Sequence, residues 1–303
     1  YNIYILGKKM VSDPYKFQNI AIYSSLNDKK IVAIANQVIE VLTNLGIKCL
    51  FPSSSKVTKA ISKKGIGDRT IIEKSDLVIA IGGDGTLLSS ARNFGIHGIP
   101  VLGINLGNLG FLTDIAPSSI TSDLKKVING DFIEDRRIFL EAKLDGEKTT
   151  YKALNEIVLH SGSIAQMIEY DLFIDGDFVY KQRADGLIIS TSTGSTAYSL
   201  SGNGPIISPE VKAITLLPMF PHSLNARTLI TGQEKEIKLR VNKKSRAFLS
   251  MDSHLKIGVG PKHDVLVRKA KGELTLIHPT DHNFFSSCRN KLGWSLGVPF
   301  KKS

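Results

Sequence analysis

Leu77-Val78-Ile79-Ala80-Ile81-Gly82-Gly83-Asp84-Gly85-Thr86-Leu87-Leu88-Ser89-Ser90-Ala91-Arg92 decides the fold. The apolar, largely β-branched run Leu77 to Ile81 predicts a buried strand, and Thr86 to Arg92 leaves it with helical spacing. Gly82, Gly83 and Gly85 tolerate positive φ and carry no Cβ, so a phosphate can approach the main chain there. The helix that follows offers unpaired N–H groups and the positive end of its dipole. Strand, glycine turn and helix in that order make a phosphate cradle. A carboxylate facing a phosphate repels it, so Asp84 has one of two roles. It performs a task in phosphoryl transfer, accepting a hydroxyl proton or anchoring a magnesium ion, or it caps the helix, as aspartate often does.

On the N-terminal side, Asn19 to Ser24 predicts a first strand. Ile31, Ile34, Ala35, Val38, Val41, Leu42 and Leu45 recur at threes and fours through Lys29 to Leu45, a helix stopped by Gly46. Lys48 to Phe51 predicts a second strand, and the polar, lysine-rich residues 53 to 70 a mobile loop. On the C-terminal side, Ile99 to Ile104 predicts a strand that runs into the glycine-bearing segment Asn105 to Leu112. Alternating strands and helices imply a parallel sheet with ligands at the carboxyl ends of its strands, so both glycine segments face one crevice. Neither segment matches the G-x-G-x-x-G or G-x-x-x-x-G-K-[ST] patterns.

After a helix from Thr121 to Asn129, closed by Gly130, the periodicity changes. Phe139 to Leu144 and Thr149 to Val158 flank Asp145-Gly146, and Tyr170 to Ile174 and Phe178 to Lys181 flank Asp175-Gly176, both hairpin signals. Leu187 to Ser190, Ile214 to Leu217, Ile237 to Val241, Ala247 to Met251, Val265 to Val267 and Leu274 to Ile277 continue as strands. Asn242 to Arg246 reads as a solvated basic hairpin tip. The second half is thus mostly β, beginning near residue 131, and Phe284 to Leu292 predicts a closing helix.

With 303 residues the chain has room for two domains with cores of their own, and 42% hydrophobic and 22% charged residues describe an ordinary globular protein. No apolar run approaches membrane-spanning length, and Ile3 to Leu6 is too short for the core of a signal peptide, so no membrane is expected. Two cysteines, Cys49 and Cys288, are too few for a disulfide framework and fit a reducing cytoplasm. No metal ligands are expected, because the cysteines and histidines lack ligand-like spacing. The net charge of +11 is spread along the chain without a long basic block, so it suits small polyanions such as nucleotides and nucleic acid is not expected as a partner.

Two further constellations carry chemistry. Ser190 to Ser199 holds seven Ser/Thr hydroxyls and Tyr198. Such a run either surrounds a ribose or phosphate with donors, Tyr198 offering a face to a base, or is a solvated loop. Asn155-Glu156 interrupts the apolar stretch from Ala153 to Leu159, so the pair either satisfies a buried network or binds something.

Gly82-Gly83-Asp84-Gly85-Thr86, Asn155-Glu156 and Thr191 to Tyr198, in that order, resemble the NAD kinase family. The likeness continues through Leu216 to Leu224 and from Ile277-His278-Pro279 to Trp294, and covers nearly everything from residue 19 onward. It implies ATP-dependent phosphorylation of the adenosine-ribose 2′-hydroxyl of NAD, with ATP as donor together with Mg2+ or another divalent metal. A lipid kinase of the same superfamily and a silent nucleotide-binding regulator are the alternatives. The resemblance also implies a Rossmann-like α/β domain over 1–130, a β-sandwich domain over 131–276 and a segment, 277–303, that returns to the first domain. By the same likeness Asp84 is the catalytic base, and Gly82, Gly83, Gly85 and Thr86 bind phosphate. Phe111, Asn155, Glu156, Gln166, Thr193, Thr196, Ala197, Tyr198, Ser199, Leu200, Ser201 and His254, with Asp84 and Gly85, line the NAD site. Arg183 and Asp185 match positions that complete a neighbour's NAD site, which implies a homodimer or homotetramer. Three positions depart from the family pattern: Ser192 replaces a usual proline and leaves its loop less rigid, His254 a glutamine, and Gln166 a basic residue.

Overall fold

Asp28 caps the first helix, Lys29–Asn44, by accepting from the Lys30 N–H at 2.7 Å, and six of the seven apolar residues predicted along it are buried, while Leu45 is its C-cap and half-buried. Gly46 then turns the chain at φ +74°, a conformation open to glycine at little cost. The structure is a computed structural model describing residues 16–294 apart from 108–109, 164–165, 243 and 261–262. Residues 1–15, which include Ile3 to Leu6, and the end of the segment expected to return to the first domain, from 295, lie outside the described residues.

The strands Lys48–Leu50, Asn19–Tyr23, Leu77–Ile81 and Val101–Ile104 pair in parallel in that spatial order. Strand order therefore reverses between Asn19–Tyr23 and Leu77–Ile81, and such a switch point opens a crevice at the carboxyl ends of the strands. Leu77–Ile81 is buried along its whole length, which explains its unbroken apolar run. Helices Lys29–Asn44 and Ile120–Ile128 cover one face of this sheet, with Ile34, Val38, Leu124 and Val127 in one core.

The strand Asp264–Pro279 joins the two halves. Its last residues pair in parallel with Val101–Ile104, while along its length it runs antiparallel to Phe132–Leu144. Ile237–Val241, Ile168–Ile174 and Asp177–Ala184 extend the same sheet. A second, wholly antiparallel sheet, ordered Leu229–Gly232, Ala213–Met219, Gly186–Thr191, Glu156–His160, Ala247–Met251 and Leu255–Val259, packs against it. Leu140, Leu159, Tyr170, Leu187, Leu239 and Leu249 fill the space between them. The expected α/β plus mostly-β architecture, a Rossmann-like half with a β-sandwich half, is what the structure has.

Several local expectations are corrected. Residues 53 to 70 are not a loop throughout: Lys56–Ala60 and Asp68–Lys74 are short helices anchored by buried Val57 and Ile71, too short for a helical period to show. Val265 to Val267 and Leu274 to Ile277 belong to one strand, interrupted by a register shift between Lys269 and Glu273. Asn242 to Arg246 is not a hairpin tip, because Ile237–Val241 and Ala247–Met251 lie in different sheets. The predicted strand Thr149 to Val158 is two strands, Thr150–Ala153 in one sheet and Glu156–His160 in the other. By contrast, Asp175 and Gly176, at φ +51° and +89°, form the tight hairpin turn their sequence predicts.

Candidate active site

At the switch point, Gly82 donates its N–H to the Ile104 carbonyl at 2.9 Å, and a Cβ on it would sit 2.3 Å from Thr86 Oγ1. Only glycine fits. Thr86 is buried and its hydroxyl meets that of Ser25, just beyond the first strand, at 3.0 Å. Gly83 is the cap residue and Asp84 opens the helix Asp84–Asn93, but the Asp84 side chain makes no capping bond to its own helix. It reaches the second glycine segment instead. Its Oδ2 accepts from the Phe111 N–H at 3.0 Å and its Oδ1 from the Leu112 N–H at 3.1 Å. Lys291, from the closing helix Phe284–Leu292, donates to Oδ2 at 3.1 Å. A carboxylate has about four acceptor positions, so three donors aim it and leave one open. The two glycine segments face one crevice, as their positions after parallel strands predicted, and the capping alternative for Asp84 falls away.

Asn155-Glu156 marks the crossing of the chain from one sheet to the other. Asp252, whose carboxylate is buried, makes that crossing possible. It accepts from the N–H groups of Leu154, Asn155 and Glu156 at 2.9, 2.8 and 3.1 Å, which a strand pairing would otherwise have used. Arg92, on the helix that begins with Asp84, lies 3.8 Å from Asp252 and ties the two segments together. Asn155 Oδ1 and Glu156 Oε2 are buried without a partner among the described residues. Burial, then the nearby Asp252 charge, pushes the Glu156 carboxyl up to about 8, against the pull of the Tyr198 N–H that bonds it.

The hydroxyl-rich run resolves into two sets. Thr191 Oγ1 donates to the Leu154 carbonyl at 2.7 Å and accepts from the Gly194 N–H at 3.1 Å, and Ser195 bonds Ser192 and Ile207. These hydroxyls lock the turn against Asn155 and do not surround a ligand. Gly194 belongs to the same lock, since a Cβ there would lie 2.2 Å from the Asn155 carbonyl oxygen. The Ser192 hydroxyl donates to the Val211 carbonyl. Thr193 is held by Arg137 at 3.0 Å. Thr196 and Ala197 are half-buried, Ser201 is exposed, and Ser199 Oγ is buried without a partner among the described residues.

Tyr198 stands 42% exposed at the floor of a groove lined also by Asp185, His160, Met219, Phe220 and Lys256. Arg183 is exposed on the strand leading to Asp185. His254 is exposed beyond Asp252, and burial of part of its ring and then Arg92 hold it below the usual imidazole value. Gln166 is exposed ahead of Ile168–Ile174 and is not among the residues lining the groove.

Sequence reading missed Asp252, Lys291 and a buried histidine cluster. No sequence pattern marks Asp252, whose backbone adopts φ +43° in the structure. In the cluster, Asp114 accepts from His278 and, at 2.9 Å, from His282, while His278 also faces Asp135, which Arg137 grips. Burial works against charge here, but the histidine bonds prevail: Asp114 and Asp135 are held well below the usual carboxylate range and His278 is raised. Asp114, His278 and His282 are the one metal-capable group among the described residues. Their ligand atoms lie within 4.8 Å of one another, the two rings are stacked, 4.0 Å apart and 18° from parallel, and both Nδ1 atoms bond the Asp114 carboxylate. The group serves as a hydrogen-bond network that fastens the chain's end to the loop after Leu112.

Two family models match the chain: the ATP-NAD kinase N-terminal domain over residues 20–132 and the ATP-NAD kinase C-terminal domain over residues 154–279. An NAD kinase of Marinobacter nauticus is 42% identical over 291 residues, covering 92% of this chain and 97% of that one. An NAD kinase of Chromohalobacter salexigens is 48% identical over 228 residues, covering 74% and 78%. Among solved structures, a yeast NADH kinase complexed with NADH superimposes with a TM-score of 0.84 at 26% identity, covering 96% of this chain and 91% of that one. An NAD kinase from Archaeoglobus fulgidus in complex with ATP shares the fold, with a TM-score of 0.72 at 23% identity over 90% and 99% of the two chains.

Proposed function

Since the chain belongs to the NAD kinase family and phosphorylates NAD with ATP, we propose that Asp84 takes the proton from the adenosine-ribose 2′-hydroxyl, giving NADP and ADP. The observation that carries this reading is the aim of the Asp84 carboxylate, drawn off its own helix by two amides of the facing loop. Phosphoryl transfer needs little covalent work from a protein; it needs an aligned hydroxyl, a proton acceptor and positive charge on the phosphates. Gly83 and Gly85 bring backbone N–H groups to the phosphates at the helix start, while Gly82 and Thr86, whose N–H groups bond the Ile104 and Gly83 carbonyls, shape the turn beside them.

Asn155 and Glu156 hold the NAD, each with a buried oxygen that has no partner among the described residues. Glu156, protonated near neutral pH, donates as well as accepts. Tyr198 offers its exposed ring to the adenine, and the rest of the turn from Thr193 to Ser201, with Phe111, Gln166 and His254, completes the pocket. Arg183 and Asp185 serve a neighbour's nicotinamide half in a homodimer or homotetramer. The exposure of Phe220 (77%), which lines the groove, supports this; a monomer by light scattering would remove it. The chain divides near residue 131, with its last segment returning to the first domain, which limited proteolysis tests. The unpaired Cys49 and Cys288 support a cytoplasmic setting, which imaging of a tagged chain checks.

A divalent metal would be held chiefly by the ATP phosphates, with the acceptor position that Asp84 keeps open beside its two amides and the Lys291 ammonium, since magnesium asks for oxygen ligands and keeps several waters; the nitrogen-rich Asp114 cluster suits it less. Neither the lipid kinase nor the silent regulator is favoured, given the relatives. The test is NADP formation by Asp84→Asn. Turnover falls by about 10²- to 10⁴-fold while calorimetric NAD affinity stays put; near-normal turnover would remove Asp84 as base.

A further inference from the structure

Three donors hold Asp84, and they are not alike. The Phe111 and Leu112 amides are fixed in the loop, whereas the Lys291 ammonium hangs on a flexible stem, 4.5 Å above the Phe111 ring. Both side chains of the pair are about 30% exposed (30% and 29%), and half-exposed pairs hold weakly. The helix that carries Lys291 is itself well fastened. His278 and His282 bond Asp114 just before it, and Asn283 caps it by accepting from the Ser286 N–H at 2.9 Å. A fixed helix thus presents one movable cation to the base.

We propose that Lys291 is a phosphoryl-binding cation of this reaction, resting on Asp84 in the free chain and moving onto the γ-phosphoryl oxygens of ATP during transfer. The proposal rests on Asp84 being the base. The reacting hydroxyl must come within about 2.6–3.2 Å of the carboxylate, and phosphorus bonds to that same oxygen. An ammonium 3.1 Å from Asp84 therefore already stands beside the path of the phosphoryl group. In the step, the hydroxyl proton goes to Asp84 and the new O–P bond forms. The bond from the γ-phosphorus to the bridging oxygen breaks, and ADP leaves with that electron pair. Positive charge is useful where negative charge gathers on the transferring group, and a side chain that can follow it supplies that charge.

Steady-state kinetics on Lys291→Met and Lys291→Arg, with Asp84→Asn beside them, test the proposal. Lys291→Met loses about 10²- to 10³-fold in kcat, the usual cost of one donor to developing charge. Its KM for NAD stays within about twofold, since the lost contact is made in the transition state. Lys291→Arg recovers most of the loss, because it keeps the charge. A residue that merely pins the closing helix would behave otherwise: Lys291→Met would keep its kcat and lose thermal stability. Lys291→Met with kcat within threefold of the parent, or Lys291→Arg as slow as Lys291→Met, overturns the proposal. If Asp84→Asn is silent in that same experiment, the base survives and only Lys291 loses its role; if Asp84→Asn turns over normally, the underlying reading fails instead.

Discussion

Gly110→Ala would displace the proposed base without touching it in sequence. A Cβ on Gly110 would lie 2.2 Å from Asp84 Oδ1 and 2.3 Å from Thr113 Oγ1, with the Asp84 carboxyl carbon at 3.1 Å. Contacts of that kind are not tolerated, so the carboxylate must retreat by about 1 Å or the loop must lift away with its Phe111 and Leu112 donors. A misplacement of about 1 Å at a reacting group costs roughly 10²-fold, so kcat for NADP formation falls to about a hundredth of the parent value. Overpacking itself costs on the order of 1–3 kcal/mol, small enough for the variant to fold. Asn155 and Glu156 hold the NAD from another segment, so NAD affinity by calorimetry falls far less than kcat, although Phe111 lies on the displaced loop. The assay couples NADP to an NADP-specific dehydrogenase and follows thermal unfolding in parallel. A folded Gly110→Ala enzyme with kcat within twofold of the parent would refute the claim that the second glycine segment aims Asp84.

Asp252→Asn replaces a four-site acceptor by one carbonyl oxygen and turns an NH2 toward the Leu154, Asn155 and Glu156 N–H groups. Stability drops by about 3–5 kcal/mol, as for a broken buried ion pair, and KM for NAD rises; denaturant unfolding together with initial rates reads both. Glu156 gives a pH dependence of definite sign. Its carboxyl is pushed up to about 8 in the folded chain from an ordinary value near 4.5, so the folded state binds the extra proton between those values. Stability therefore falls as pH rises through that interval. Glu156→Gln removes this contribution, and melting curves taken from pH 5 to pH 8.5 should slope less in the variant; equal slopes would count against it.

The alternation of strand and helix around Gly82 to Thr86 was legible because each element there is specified locally. A buried parallel strand must be apolar throughout, and a helix on that sheet must repeat at threes and fours. Asp84, Asn155-Glu156 and the hydroxyl-rich turn were legible for the opposite reason, as polar groups where a plain core has none. What those polar groups do was less legible. Thr191 and Ser195 look like ligand donors in sequence and prove to be braces, since a hydroxyl's partner depends on which carbonyl folding brings near.

By itself, then, the sequence determined the two-part architecture, the glycine turn and the family, all of which depend on local pattern or on motifs in fixed order. Only the tertiary structure decided that Asp252, 97 residues from Asn155, builds the crossing between sheets, and that Lys291, 207 residues from Asp84, reaches the base. It also decided that Asp114, His278 and His282 form one network. An isolated aspartate, lysine or histidine has no periodicity, and a charge acquires its partner only when the sheet brings distant strands and loops together.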